Sequence, residues 1–317
     1  MTRILVSVAL RVLTLVVIVF VISIGVFLLL HLLPGNPAYA ILGPGATPLA
    51  VAKVTRQLGL NKPLIDQYVT WLTRALHGNL GTSYLTEQPV STTIGHAFPV
   101  DLELVILSQL IAFALAIPMA ITAARRQASI LDRIFTMSSF GMLSLPAFVI
   151  GVPLVLAVAV TVHWFPATGY TPIYSQPITN LHEMILPSIT LAVGSVAIYY
   201  RLLRTDLIAT LQEEFITLAR SKGLSNREVM YRHALRPSTF SVLTATAINV
   251  GSLLGGAVVV EYLFGLPGMG LLLVNGIYSR DYVMVQGVIL TLAVAFVLVN
   301  FLADILYRVI DPRVRHA

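Results

Sequence analysis

Long runs without a charged side chain are the feature that most constrains how this chain folds. A helix needs about 18 to 20 apolar residues to cross the hydrocarbon core of a bilayer. Six uncharged runs have or approach this length, namely 12–30, 104–124, 134–162, 184–200, 237–260 and 283–303. A backbone in lipid must satisfy its own hydrogen bonds, and no strand-like alternation persists in the sequence. The sequence therefore predicts an all-α membrane protein with six transmembrane helices.

The composition agrees with burial in lipid. Hydrophobic residues make up 57% of the chain and charged residues 11%, against about a quarter charged residues in soluble proteins. The run 184–200 is slightly short, but the side chain of Arg201 at its end can extend to the interface. The run 134–162 is longer than one span needs, so we expect part of it to tilt or to lie in the interface.

The first apolar run predicts a retained transmembrane helix within residues 1–33. A cleaved signal peptide has a short apolar core and a small-residue cleavage site, whereas this run continues to "HLLPG" with no A-x-A-like site. The sequence contains no cysteine, which excludes disulfides, thiolate catalysis and cysteine metal sites.

Lysine and arginine are distributed unevenly between alternate sides of the predicted spans. Five of the 20 lie on one side and 15 on the other, the latter in 1–11, 125–133, 201–236 and 308–317. Positive residues favour cytoplasmic loops, so we expect both termini and the 201–236 loop on the cytoplasmic side of the membrane. The net charge of +6 is spread over four loops without a basic stripe, which argues against a nucleic-acid partner.

Residues 34–103 are predicted to form an extracytoplasmic loop. It begins with the turn-rich, irregular stretch "PGNPAYAILGPGATP". A helical period of apolar residues follows from Pro48 to Leu76, and "GLNKP" divides it into two short helices. These helices are too short for a core of their own, so we expect them to cap the outer mouth. Residues 104–317 then form a core of five transmembrane helices.

The stretch "FITLARSKGLSNREV" at 215–229 is a polar patch between two apolar runs, inside a segment that holds seven of the basic residues. Residues 205–221 have helix-forming composition, and Gly223 is placed to end that helix in the left-handed conformation. Ser225 and Glu228 have the spacing of a capping box, which predicts a second helix. Phe215, Ile216, Leu218 and Ala219 offer a mostly apolar docking face. The alternative is a solvated interfacial loop.

This segment resembles the cytoplasmic "EAA" loop of ABC-importer permeases. Aligned on Gly223, the E-A-A triplet of that loop falls on Thr217, Leu218 and Ala219. The glutamate is absent here and Pro237 comes one position late. Both departures are usual in the dipeptide/oligopeptide/nickel branch of these permeases. The motifs "A-R-A-K-G-L" and "R-H-A-L-R" of that branch resemble residues 219–224 and 232–236. The resemblance implies that Thr217, Leu218, Ala219, Arg220, Lys222 and Gly223 couple the chain to an ATPase.

The resemblance extends over nearly the whole chain. "HLLPGNPA", "QLGLNKPLIDQYVTWL", "GNLGTSY", "LSLPAFVIG", "WFPATGY", "ILPSITLA", "GGAVVVEYLFGLPGMGLLL", "RDYVMVQG" and "VNFLADILYRVIDPR" follow in the order of that branch. The long first outer loop is similar to that of the first (B-type) permease subunit of a dipeptide transporter. This implies a type I ABC-importer permease fold and a pathway for di- or oligopeptides.

The resemblance also implies partners. These are a homologous second permease, two cytoplasmic ATPase subunits and an extracytoplasmic substrate-binding protein, with ATP and magnesium on the ATPases and no cofactor in this chain. The sequence has no G-x-x-x-x-G-K-[ST] and no G-x-S-x-G motif, which argues against an enzyme. "HEMIL" at 182–186 starts like a zinc motif, but Leu186 replaces the second ligand. Import of nickel or another small solute, or ion-coupled secondary transport, remain alternatives.

Polar residues within the spans are candidates for the translocation pathway. They include Gln109 and Asn300, and the four that we select are Asn249, Ser252, Glu261 and Gln286. The alternative role is interhelical hydrogen bonding, which is common in membrane helices. Glu261 closes the fifth span, and we expect its carboxylate to hold the turn-rich stretch after it, unless it is a solvated interface carboxylate. Asp304 and Arg308 are spaced as a helix-surface pair.

Overall fold

Helices make up most of the part of the chain that the computed structural model describes, which is residues 2–32, 39, 42–43, 45–57 and 59–310. The first half contains α1 (Thr2–Leu32), α2 (Pro48–Gln57), α3 (Leu64–Leu76), α4 (Val90–Arg125), α5 (Ile130–Ser144) and α6 (Ala147–Leu154). A π-helical turn at Val155–Thr161 continues α6. Most of the irregular stretch predicted at 34–48 lies outside the described residues, as do the side chains of Asp304 and Arg308.

The second half contains α7 (Pro177–Thr210), α8 (Glu214–Ser221), α9 (Asn226–Phe264), α10 (Met269–Tyr278) and α11 (Tyr282–Ile310). Residues Val229–Ala234 of α9 form a π-helical turn. The predicted all-α fold is thus confirmed for the described residues, in which strand pairing is limited to one isolated bridge between Thr82 and Pro89.

Four of these helices are long and apolar enough to cross a membrane, and a bent pair makes a fifth candidate. The four are α4, α7, α9 and the Tyr282–Ala303 part of α11, while the described side chains of α1 contribute a shorter apolar stretch at Leu13–Leu28. The helix α4 begins at Val90, well before the apolar run at 104–124, and so takes in the end of the segment predicted as outer loop.

The run 134–162, which is longer than one span needs, forms a bent pair of helices. The helices α5 and α6 meet at 107°. Leu145 is extended (φ −108°, ψ 133°), and Pro146 after it precedes the first turn of α6. A residue before proline is sterically excluded from the helical region, and this restriction ends α5 where it does.

The chain divides into two compact units, the first made of residues 1–101 and 266–301. Its core contains Val90, Ile94 and Ala97 of α4 together with Met269 of α10 and Met284 and Val288 of α11. Gly287 allows α11 to approach α4 closely, because a Cβ at this position would lie 2.5 Å from a methyl carbon of Val90.

A buried carboxylate fixes the loop before α4 within this first unit. Asp281 accepts hydrogen bonds from the Ser83 hydroxyl and from the Tyr84 amide, the latter at 3.4 Å. It also accepts the Met284 amide at 3.2 Å and so caps the first turn of α11. Burial and the nearby negative charge of Asp281 raise the pKa of the Tyr84 hydroxyl.

The second unit, residues 102–265 and 302–317, is built around α7. The helices α9, α5 and α6 all pack against it. Its core contains Tyr199, Tyr200, Leu203 and Leu207 of α7, and small alanines of α4 such as Ala116 belong to the same cluster. Small side chains let membrane helices approach one another closely.

Candidate coupling segment and polar sites of the bundle

The segment predicted as one helix over 205–221 is two helices, so that prediction is wrong in its boundaries. The span α7 continues to Thr210, and α8 begins only at Glu214. Between them the amides of Gln212 and Glu213 close a tight turn on Ala209 and Thr210. Glu213 has extended backbone (φ −69°, ψ 149°), which interrupts the helical hydrogen bonds and gives α8 its own direction.

Gly223 ends α8 in the left-handed conformation, as predicted. Its φ is +84°, its amide donates to the Arg220 carbonyl, and the Leu224 amide donates to the Ala219 carbonyl. This pair of bonds is the Schellman motif, which satisfies the last carbonyls of a helix and favours glycine at the turn. A Cβ at Gly223 would meet no atom within 4 Å, so backbone conformation alone favours glycine here.

The predicted capping box is confirmed at the start of α9. The Glu228 amide donates to the Ser225 hydroxyl oxygen at 3.3 Å, and the Ser225 amide donates to a Glu228 carboxylate oxygen at 3.2 Å. The two side chains thereby satisfy amides that lack helical partners. The turn at 209–213 and the Schellman turn at Gly223 thus define the two ends of α8, and the capping box defines the start of α9.

One face of α8 is buried and the other is open. Ile216 and Ala219 are buried in the cluster that also contains Val229, Met230 and Ala234 of α9. Phe215 and Leu218 are 46% and 56% exposed. The exposed face carries a shallow depression lined by Gln212, Glu214, Thr217, Leu218 and Ser221.

Two members of the predicted docking face therefore have another role. Ile216 and Ala219 point into the bundle and anchor the helix, because residues three apart lie on the same side of a helix. Among the predicted coupling residues, Thr217, Leu218, Arg220, Lys222 and Gly223 are exposed. The exposed apolar contacts are consequently Phe215 and Leu218.

The end of α7 that leads into α8 is joined to α5 by an ion pair that sequence reasoning missed. Arg204 donates two hydrogen bonds to Asp132, from Nε at 2.6 Å and from Nη2 at 2.8 Å. Asp132 also accepts the Ala128 amide at 3.0 Å. One turn along, the hydroxyls of Thr136 and Tyr200 are 3.1 Å apart. The available signal was that Asp132 is the one acid between the second and third apolar runs, and that Arg204 follows the fourth.

The same end of α7 is joined to α9 by hydroxyl contacts. The Ser241 hydroxyl donates to Asp206, and the hydroxyls of Thr210 and Ser238 are 3.0 Å apart. The helix α8 follows the end of α7 after a short turn and packs on the start of α9. A displacement of α8 would therefore act on helices that these contacts join.

Two of the pathway candidates belong to a polar network deep in the second unit. The Asn249 amide nitrogen donates to Ser195 at 2.6 Å and to Tyr199 at 3.1 Å. The Tyr199 hydroxyl donates to the Gln109 side-chain carbonyl at 2.5 Å, and the Gln109 amide nitrogen donates to Ser195 at 3.4 Å. The network joins α4, α7 and α9, which favours interhelical hydrogen bonding as the role of Gln109, a buried residue.

The remaining candidates are placed differently. Ser252 lies one turn beyond Asn249 on α9 and is exposed, with its hydroxyl 3.4 Å from the Ile248 carbonyl. Gln286 lies on α11 and is half-buried. Asn300 is half-buried and donates to the Phe296 carbonyl within the same helix at 2.8 Å. Each of these residues stays a predicted pathway residue.

Glu261 is fully buried within α9, so the alternative of a solvated interface carboxylate is wrong. Its backbone carbonyl accepts the amide of Gly265, which ends the helix at φ +64°. Its predicted role in holding the following segment stays a prediction. A second acid, Asp101, which sequence reasoning did not select, accepts the Met269 amide at 2.9 Å and caps the start of α10.

The "HEMIL" residues make structural contacts at the start of α7. Glu183 accepts the Thr171 amide at 2.5 Å and the Thr171 hydroxyl at 3.2 Å. The His182 ring packs against Phe165 with centroids 4.9 Å apart. The loop before α7 is also tied to α4, because the Tyr170 hydroxyl donates to Glu103 at 3.0 Å. Burial, followed by the charge of Glu103, raises the pKa of Tyr170 to about 12.

The fold is shared with a solved transporter chain. A chain of the MetNI methionine ABC transporter, in inward-facing conformations, superimposes with a TM-score of 0.55 at 15% identity. The match covers 69% of this chain and 96% of that chain. At this identity the likeness concerns the fold alone.

Sequence relatives cover almost the full length. A protein of Brucella abortus (strain 2308) that is named as a peptide transport system permease is 39% identical over 300 residues, which are 94% of this chain and 95% of the relative. The glutathione transport system permease protein of Escherichia coli (strain K12) is 35% identical over 306 residues, 96% of this chain and 97% of the relative.

Two family models match the two parts of the chain. Residues 1–105 match the N-terminal model of binding-protein-dependent transport system membrane components. Residues 116–316 match the model of the inner membrane component of the same systems. The resemblance to ABC-importer permeases is thereby confirmed, and the chain belongs to the family of binding-protein-dependent transport system inner membrane components.

Proposed function

We propose that this chain is a permease subunit that forms, with a homologous second permease, the translocation pathway of an ATP-driven importer for di- or oligopeptides. Full-length relatives named as peptide and glutathione transport permeases support this cargo class. ATP and magnesium bind to two separate cytoplasmic ATPase subunits, and an extracytoplasmic binding protein delivers the substrate. This chain has no phosphate-binding loop of its own.

The observation that carries the proposal is the construction of α8. An exposed apolar pair, Phe215 and Leu218, stands on a helix whose opposite face is buried in the bundle. A tight turn closed by the Gln212 and Glu213 amides precedes this helix, and the Schellman turn at Gly223 and the capping box that starts α9 follow it. A helix fixed in this way can transmit a push from an ATPase, whereas a mobile loop would absorb it. Thr217, Arg220 and Lys222 form the polar rim of this contact.

The same proposal includes the number and orientation of the transmembrane helices. Six transmembrane helices of the type I importer kind are arranged as a first helix in 1–33, an extracytoplasmic loop in 34–103 and a five-helix core in 104–317. The bent pair α5–α6 then counts as one crossing. Both termini and the 201–236 loop lie in the cytoplasm of a bacterium, an orientation that the distribution of lysine and arginine supports.

We expect single cysteines at Gln88 and Gln212 to report this topology, because both positions are exposed and the natural chain has no cysteine. Ser83, in the same outer loop, is buried against Asp281 and would be a poor reporter. In intact spheroplasts, a membrane-impermeant maleimide should label position 88 and spare position 212 until the cells are lysed. The reverse labelling pattern would invert the assigned orientation.

Reconstitution into liposomes tests the function itself. We expect uptake of a labelled dipeptide only when the second permease, both ATPases, the binding protein and internal ATP are all present. Uptake by this chain alone under a proton or sodium gradient would instead establish a secondary carrier. ATP-dependent uptake of nickel and not of peptides would keep the family role and overturn the peptide cargo.

A further inference from the structure

The helix α3 has three faces of different chemistry. At 100° per residue, Tyr68, Trp71 and Ala75 share one face, and a second apolar face lies directly beside it. The opposite face is polar. The members of the second apolar face are Ile65, Val69, Leu72 and Leu76, and the polar face consists of Asp66, Gln67, Thr70, Thr73 and Arg74.

The first of these faces packs against α1. The hydroxyls of Tyr68 and Ser23 are 2.7 Å apart. The ring of Phe27 lies 5.3 Å from that of Tyr68 and 6.0 Å from that of Trp71, centroid to centroid. Ser23 and Phe27 are buried by this packing.

The position of Ser23 along α1 places its contact with Tyr68 within the hydrocarbon core, if α1 crosses the bilayer. Ser23 lies near the middle of the uncharged run 12–30, about 14 Å from the end of α1 at Leu32 for a rise of about 1.5 Å per residue. Half of a hydrocarbon core is about 15 Å thick. The Ser23 hydroxyl already donates to the Phe20 carbonyl at 2.7 Å. The Tyr68 hydroxyl at that depth also needs a protein partner, and the Ser23 oxygen supplies it.

The second apolar face is open. Ile65, Val69 and Leu76 are 76%, 53% and 79% exposed. Positive charge lies on this helix and next to it, because Arg74 is on its polar face and Lys62 is in the turn before it. An apolar face beside a polar face with basic residues is the pattern of a helix that lies at the surface of an anionic membrane.

We propose that α3 is an interfacial helix embedded in the leaflet at the C-terminal end of α1, which is the outer leaflet in the topology given above. Ile65, Val69 and Leu76 contact acyl chains, and Lys62 and Arg74 contact anionic lipid headgroups. The helix α3 thus lies in lipid beside α1, in contrast to the expectation that it caps the outer mouth. The inference requires only that α1 crosses the bilayer, and it is independent of coupling to an ATPase.

Single nitroxide labels test the proposal on the assembled transporter in nanodiscs of phosphatidylcholine and phosphatidylglycerol. Cysteines at Ile65, Val69 and Leu76 probe the open apolar face, and cysteines at Asp66 and Thr73 are matched controls on the polar face. We expect the three apolar positions to be severalfold more accessible to oxygen than to a water-soluble nickel chelate, and the two controls to show the opposite preference. Nickel access at all five positions would overturn the proposal. Labels at 65, 69 and 76 that are immobile and closed to both reagents would also overturn it, because a protein partner would then cover this face.

A separate experiment tests the contact of Lys62 and Arg74 with anionic headgroups. In a Lys62→Gln/Arg74→Gln variant, the oxygen preference at position 69 should fall in nanodiscs that contain phosphatidylglycerol. It should not change in nanodiscs of phosphatidylcholine alone. An equal change in both lipids, or no change in either, would overturn the contact with anionic headgroups.

Discussion

Replacing Gly223 with valine is expected to uncouple ATP hydrolysis from transport while the chain still enters the membrane. The φ of +84° at this residue makes a β-branched side chain cost about 1–2 kcal/mol. Because a Cβ here would meet no neighbouring atom, the strain can only be relieved by changing the backbone between α8 and α9. The exposed face of α8 would then be tilted away from the ATPase.

The matched control is Gly223→Asn, because asparagine adopts the left-handed conformation more readily than other non-glycine residues. We expect uptake, ATPase rate and co-purification of the ATPase subunits to stay near wild type in this variant. In Gly223→Val, uptake should fall severalfold, with either unproductive ATP hydrolysis or loss of the ATPases. Wild-type values of all three quantities in the valine variant would show that 215–229 is only a solvated connector.

Leu218→Asp tests the contact itself. Leu218 is more than half exposed, so a carboxylate there has little effect on the fold, whereas it would bury a charge in an apolar interface with the ATPase. We expect the ATPases to be lost from the complex. Leu85→Asp changes another leucine that is more than half exposed, in the segment before α4, and should leave the complex intact. Equal behaviour of the two aspartate variants would contradict the docking role.

The second large effect is expected at the pair of Arg204 and Asp132. The side chain of Asp132 is 5% exposed and that of Arg204 is 26% exposed. The loss of stability therefore depends on which of the two charges is left without its partner. Arg204→Met leaves a buried carboxylate without its counter-charge, which costs about 3 kcal/mol. Asp132→Asn leaves a partly solvated guanidinium that water can reach, for a cost of about 1 kcal/mol.

Thermal unfolding of the purified complex in detergent measures this difference. We expect a larger fall in Tm for Arg204→Met than for Asp132→Asn. The double variant Arg204→Met/Asp132→Asn should recover part of the loss, because no buried charge then remains. Equal effects of the two single variants, or a double variant with the sum of both losses, would show that the two charges act independently.

The local features of this protein were predictable from its sequence. Its helical membrane character follows from long uncharged runs, because lipid leaves the backbone few alternatives. The turn at Gly223 and the capping box at Ser225 and Glu228 were equally predictable, since each is made by residues within a few positions of one another. The break at Leu145 and Pro146 has an equally local cause, because a residue before proline is excluded from the helical region.

Contacts between distant residues were decided only by the tertiary structure. The inward orientation of Ala219 depends on residues of α9, and the pairing of Arg204 with Asp132 joins positions 72 residues apart. The network of Gln109 and Asn249, the burial of Glu261 and the capping of α10 by Asp101 likewise depend on which helices pack together. A sequence shows that a polar group lies within an apolar run. Only the packing of helices determines whether that group meets a partner, because burying it without a hydrogen bond is costly and several helices are equally able to supply one.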